Sequence, residues 1–208
     1  MIPPFRLYLF DVDGTLVDSA ADICGTIQQV LQACGRHDVS DALLRRYIGR
    51  HLIELFTDLD FPAASIDQMV TDYRAIYTAG GHVNTSVYPG VADMLKTLGG
   101  LKSTATTKGT PTTKVILEKF GLIAYFNHVQ GTDGFPAKPE PDVIIKSLDI
   151  FGVSPEECLM VGDAPSDMEA GRRAGVKTCA VRYGYGDLEA MASFQPDFWI
   201  DHPSELIQ

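Results

Sequence analysis

The stretch Leu7-Tyr8-Leu9-Phe10-Asp11-Val12-Asp13-Gly14-Thr15-Leu16 decides how the rest of this chain is read. Its first four residues are apolar, which predicts a short buried strand. Two carboxylates, Asp11 and Asp13, then stand just past the strand's C-terminal end, the edge where open α/β sheets bind ligands. Aimed into a crevice, such a pair suits a divalent cation and a nucleophile. An Asp-Gly turn after a strand would by itself look the same. The reading therefore rests on what the remaining residues place beside it.

Strand signals recur downstream at Ser103–Thr107, Phe126–Gln130, Cys158–Val161, Thr178–Arg182 and Phe198–Ile200, with helical patterns between them. This alternation predicts an α/β fold, a Rossmann-like parallel sheet core with helices on both faces. Residues 16–84 break the rhythm and read as helices only. Ser19 is expected to cap a helix over Ala20–Cys34 that stops at Gly35. Ser40 is expected to cap a second helix, with Leu43, Leu44, Tyr47 and Ile48 on one face. Leu52, Leu55 and Phe56 suggest a third. Ser65 and Gln68 form a capping-box pattern ahead of Ile66, Met69, Val70, Tyr73, Ile76 and Tyr77, and Gly80-Gly81 closes the run. These apolar stripes read as packing surfaces. The expected organisation is an α/β core from 1–15 and 85–208 with an inserted α-helical cap domain from 16–84. A domain hung beside the carboxylates on two linkers can act as a lid.

The 208 residues are 45% hydrophobic and 21% charged, which suffices for a real core. A net charge of -10 argues against nucleic acid, because no basic stripe is present to neutralise phosphates. Cys24, Cys34, Cys158 and Cys179 are far apart and form no CxxC pair, so they read as buried thiols of a reducing cytosol. No apolar run reaches membrane-spanning length, and the first residues lack a secretory pattern. The expected location is cytoplasmic, with no membrane partner.

Three further features stand in the order that phosphoryl transfer needs. Ser103–Thr107 ends in hydroxyls, and Thr106 can donate to a phosphate oxygen. Thr110 as N-cap and Pro111 as first helical residue would open the next helix. Ala137-Lys138-Pro139-Glu140-Pro141-Asp142 places a lysine in a proline-restricted loop, so its ammonium can be aimed. Beside an aspartate nucleophile it would hold phosphate and offset carboxylate repulsion. Val161-Gly162-Asp163-Ala164-Pro165-Ser166-Asp167 puts another carboxylate at a strand end, with Asp167 four residues on, near enough to share a cation site.

Taken together, DVDGT, KPEP and GDAPSD, with helices inserted after the first strand, resemble the haloacid dehalogenase superfamily over nearly the whole chain. Tyr88-Pro89-Gly90-Val91 looks like its phosphoglycolate phosphatase-like branch. The resemblance implies Asp11 as nucleophile, forming an aspartyl-phosphate, and Asp13 as the acid and base. It implies Mg2+ held by the Asp11 carboxylate, the Asp13 carbonyl and Asp163. Asp167 would hold a water of the ion or orient Lys138. Thr106, Lys138 and backbone N–H groups near Gly14 would cradle the phosphoryl oxygens. Thr107, a further candidate phosphate ligand, stands where the family often has Asn, and the strand before it is more polar than usual.

The expected substrate is a small phosphorylated metabolite, with a phosphoglycolate-type monoester first, and the expected assembly is a monomer or homodimer. Pyrophosphate or nucleotide hydrolysis is the alternative, and a β-phosphoglucomutase-like mutase follows. Asp13 argues against dehalogenation. The inserted helices hold no lysine for a phosphonate-cleaving Schiff base. A catalytically silent binding protein is the non-enzyme reading, and the intact set of Asp11, Asp13, Lys138 and Asp163 argues against it. In the insert, Ile48-Gly49-Arg50-His51 interrupts two helical patterns. Arg50 is the candidate for pairing a substrate carboxylate or second phosphate.

Overall fold

A computed structural model describes residues 2–207. β1 (Leu7–Phe10) is buried along its whole length, as a strand covered on both faces must be. It lies inside a five-stranded sheet of order β4-β1-β5-β6-β7, whose other members are β4 (Leu101–Thr104), β5 (Cys158–Gly162), β6 (Lys177–Val181) and β7 (Phe198–Ile200). Every pairing is parallel. The chain therefore needs long crossovers, and helices supply them. The α/β expectation is met.

Alternation along the strands sorts the core. Leu7 and Leu9 of β1 join Cys158 and Met160 of β5 in one cluster, covered by Val143, Ile144 and Leu148 of α7 (Asp142–Phe151) and Ala170 of α8 (Pro165–Ala174). A second cluster brings Met168 of α8 and Ala180 of β6 against Met191 of α9 (Leu188–Ser193). The remaining α-helices described in this unit are α5 (Val91–Thr97) and α6 (Thr110–Lys119).

The chain divides into two compact units, Met1–Asp18 with Ser86–Gln208 and Ser19–Thr85. Between β1 and the helices it forms β2 (Val17–Asp18), which pairs antiparallel with β3 (Ser86–Val87) on the return. The helical unit contains α1 (Ala20–Ala33), α2 (Asp41–Arg45), α3 (Leu52–Asp58) and α4 (Ala63–Ala79). Ile23, Ile27, Val30 and Leu31 of α1 and Ile66, Met69, Val70, Tyr73 and Tyr77 of α4 are buried at helical spacing. Asp22, in the first turn of α1, gathers the far end of the same unit. Its carboxylate accepts from Asn84 N at 3.0 Å, Asn84 Nδ2 at 2.9 Å and Thr85 Oγ1 at 2.7 Å.

Several local expectations are corrected. Cys24, Cys158 and Cys179 are buried as expected, but Cys34, at the end of α1, is exposed. Phe126–Gln130 is not a strand, and only an isolated bridge joins His128 to Ser103. A backbone bond runs from Asn127 N to Lys102 O at 2.9 Å, and side chains take the bonds on either side. Lys102 N donates to Asn127 Oδ1 at 2.9 Å, and Gln130 N donates to Thr104 Oγ1 at 2.9 Å. Thr110 is the first residue of α6 rather than its N-cap, because the Asp133 carboxylate accepts from Thr110 N at 3.1 Å and does the capping. Ser40 caps α2 as expected, accepting from Leu43 N. The side chain of Ser19 makes no capping bond to α1. The Ser65 box does not form: α4 begins earlier, after Pro62, and Ser65 Oγ donates to Pro62 O at 2.7 Å.

Candidate active site

The register builds the site. Phe10 is level with Thr104 on one side and Val161 on the other. The residues just past these positions, Asp11, Thr106 and Asp163, therefore emerge at one edge of the sheet, where the strand order turns back on either side of β1. Asp11 N donates to Val161 O at 2.9 Å, which holds the backbone in line to the end of the strand. Asp11 is 1% exposed and Asp163 3%.

Lys138 is 2% exposed, a rare state for lysine outside an ion pair. Its ammonium lies 3.0 Å from Asp11 Oδ1 and donates a short bond to Asp167 Oδ1. Asp167 Oδ2 accepts from Ala164 N at 2.9 Å at the start of α8. The carboxylates of Asp11 and Asp167 outweigh burial, which alone would lower the amine's pKa, so Lys138 is held firmly protonated. The Lys138–Pro139 peptide bond is cis.

Asp163 is held from two sides. Thr15 Oγ1 donates to its Oδ1 at 3.1 Å and Tyr185 N donates to its Oδ2 at 2.8 Å. Gly14 sits at φ +84°, and a Cβ there would lie 2.1 Å from Asp163 Oδ2, so no other residue fits the turn. Gly14's own N–H donates to Val17 O at 2.9 Å. What it contributes beside Asp163 is space and turn geometry.

Burial dominates the electrostatics. It raises Asp11 to about 6 against the opposing pull of Lys138, with Asp167 and Asp13 adding repulsion. Burial also raises Asp163 well above the usual carboxylate range, helped by Asp11 and Asp167. Asp11 Oδ1, though close to Lys138, has no hydrogen bond of good geometry. Oxygens of Asp11, Asp163 and Asp167 all lie within 4.8 Å of one another. A buried set of carboxylates with one ammonium among them lacks positive charge, and an all-oxygen donor set suits a hard divalent cation.

The sequence-derived candidates fall in two groups. Asp11, Lys138, Asp163 and Asp167 form one connected cluster. Asp13 is close by along the chain but contacts a different cation, with Lys108 Nζ 3.3 Å from its Oδ2. Thr106 is buried, and its Oγ1 accepts from Lys108 N at 3.3 Å. Thr107 follows it, half-buried. Arg50 belongs to the helical unit, where it pairs with Glu54 at 2.7 Å and lies over the Tyr47 ring at 4.7 Å. Sequence reasoning missed Lys108, Thr15 and Tyr185. Thr15 closes the DVDGT motif itself, Lys108 directly follows Thr107, and Tyr185 stands between Gly184 and Gly186.

The sequence matches the haloacid dehalogenase-like hydrolases over residues 8–181, and the chain belongs to that family. It stands with the phosphoglycolate phosphatase-like branch. It is 35% identical to the phosphoglycolate phosphatase of Aquifex aeolicus, covering 98% of this chain and 95% of that one. It is 32% identical to a Clostridium perfringens protein provisionally named a pyrophosphatase, over 97% of this chain and 95% of that one. Among solved structures, a predicted phosphatase from Clostridium acetobutylicum superposes with a TM-score of 0.91 at 26% identity, covering 99% and 97% of the two chains. Among the described residues no helix is long and apolar enough to cross a membrane.

Proposed function

We propose that this phosphatase-type hydrolase is Mg2+-dependent and acts through an aspartyl-phosphate on a small phosphorylated metabolite, with a phosphoglycolate-type monoester as first choice. The observation that carries this reading is the buried arrangement of Asp11 against Lys138 and Asp163. In this reading it would supply an anionic nucleophile, a fixed positive charge for the phosphoryl group and a further carboxylate for a cation.

In this proposal Asp11 attacks phosphorus and Lys138 steadies the phosphoryl oxygens. Asp13 protonates the leaving oxygen and later takes a proton from the attacking water. Thr106, with Thr107 beside it, offers hydroxyls to the phosphoryl group. The Asp11 and Asp163 carboxylates and the Asp13 carbonyl would hold the ion, which supplies charge neutralisation at the phosphoryl oxygens. Asp167 keeps Lys138 in place. The helical unit selects the substrate as a lid, with Arg50 as its anion-binding residue. The names of the relatives at 30–35% identity support phosphoglycolate, and the Clostridium perfringens relative keeps pyrophosphate as the second reading.

The test is release of inorganic phosphate from phosphoglycolate, pyrophosphate, nucleotides and sugar phosphates, with and without Mg2+. Highest kcat/KM on phosphoglycolate supports the first reading, and highest on pyrophosphate replaces it with the second. Clean Mg2+ binding with no turnover on any of them would favour a silent binding protein.

A further inference from the structure

Two aspartates two residues apart are served by two different lysines. Lys138 reaches Asp11 and not the carboxylate that must carry a proton. That carboxylate, Asp13, faces Lys108 across 3.3 Å, and both side chains are about nine-tenths buried. Lys108 also sits on a braced loop. Its N–H donates to Thr106 Oγ1 at 3.3 Å, its carbonyl accepts from Thr132 N at 3.0 Å, and Thr132 Oγ1 donates to Thr106 O at 2.9 Å. The neighbouring Gly131 lies so close that a Cβ there would stand 2.3 Å from Lys108 O. Holding a long side chain's root this firmly reduces the freedom lost when its ammonium is fixed.

We infer that Lys108 is a positioning residue for Asp13, keeping its carboxyl in the attitude from which it hands a proton to the leaving oxygen. This rests on Asp13 being the acid. In the first step a bond forms between Asp11 oxygen and phosphorus with the carboxylate's electron pair. The bond from phosphorus to the leaving oxygen breaks, and that oxygen keeps the pair and takes the proton of Asp13. Asp13 is left as a carboxylate facing a fixed ammonium, so the charge appears where it is already matched. In the second step Asp13 takes a proton from water as the water oxygen bonds to phosphorus, and the Asp11–phosphorus bond breaks, returning its pair to Asp11. Lys108 gives and takes no proton in either step.

The leaving group reads this role directly. p-Nitrophenolate departs without a proton, whereas an alkoxide needs one. kcat/KM for p-nitrophenyl phosphate and for an alkyl phosphomonoester, β-glycerol phosphate, is to be measured in wild type, K108M, K108Q, K108R and D13N. kcat/KM covers only the steps up to the aspartyl-phosphate. We expect D13N to cost the alkyl ester on the order of 100-fold more than the aryl ester, the lower end of general acid catalysis. K108M is expected to show the same split at about tenfold, with K108R restoring most of it. K108Q, which keeps a donor without the charge, gives the measurement if K108M does not fold. If D13N splits the two substrates while the uncharged Lys108 variants lose both equally, the positioning role is overturned and the acid stands. If D13N shows no split, the acid assignment falls and this inference falls with it.

Discussion

Two ion pairs in this molecule have similar reach and opposite surroundings. In the helical unit Arg50 Nη2 lies 2.7 Å from Glu54 Oε2, one turn along the chain, with both side chains well exposed. In the α/β unit Lys138 lies 3.0 Å from Asp11, with both side chains almost fully out of water. The first pair costs little to make or break, since solvent replaces either partner. The second would be costly to split, because a lone buried charge has nothing to replace its partner. Opposed charges are thus exchangeable with water in one place and fixed away from it in the other.

The sharpest way to break this comparison is to remove the reactive charge while keeping its shape. Asp11→Asn is expected to lower phosphate release on the order of 10⁴-fold or more, as when covalent catalysis loses its nucleophile. Near-normal turnover in a steady-state assay would remove Asp11 from the mechanism. Lys138→Met comes next. It leaves Asp11 and Asp167 facing each other, and we expect it to lower unfolding free energy in urea by about 3–5 kcal/mol.

The third prediction concerns pH. Asp11 titrates near 3.8 when unfolded and about 6 when folded, so its contribution to stability is full below about 4 and is lost as pH rises through 6. Asp163 shifts in the same direction. The metal-free protein should lose up to about 3 kcal/mol through Asp11 across that window, seen as a falling Tm between pH 4 and 6.5. Mg2+ should recover Tm more at pH 7 than at pH 5, and Asp11→Asn should flatten the metal-free profile. A metal-free Tm that rises through the same window would contradict the placement of these charges.

The smallest effect is expected where the charge is exposed. Arg50→Ala should change stability by less than about 0.5 kcal/mol. If Arg50 recognises the substrate's second anionic group, the same variant raises KM for phosphoglycolate and leaves p-nitrophenyl phosphate unchanged. An unchanged kcat/KM on both esters would remove Arg50 from recognition.

Much of this was legible in the chain. β1 and β5 announce themselves as apolar runs ending in aspartate, which supply Asp11, Asp163 and Asp167 of the buried cluster, and Lys138 comes from the proline-restricted loop before α7. β4 carries Lys102, Ser103 and Thr104, yet it forms because β1 supplies a parallel neighbour along its length. Phe126–Gln130 has the look of a strand, but Asn127 and Thr104 offer side-chain partners that end the ladder. β2 and β3 are two residues each, too short for any periodicity to reveal. Lys108 was hidden for another reason: its partner is brought to it by the pairing of β1 with β4, and no spacing along the chain encodes that meeting.

The short ribbon of β2 and β3 has a consequence for how such proteins diversify. The chain leaves and re-enters the α/β unit on hydrogen-bonded neighbours, and Asp22 ties Asn84 and Thr85 to the start of α1. The ends of the insert are therefore already closed on each other, so its length adds little closure entropy to the sheet. Whatever is spliced between Asp18 and Ser86 behaves as a cassette: it can be lengthened, shortened or exchanged while the register that sets Asp11 beside Asp163 stays as it is.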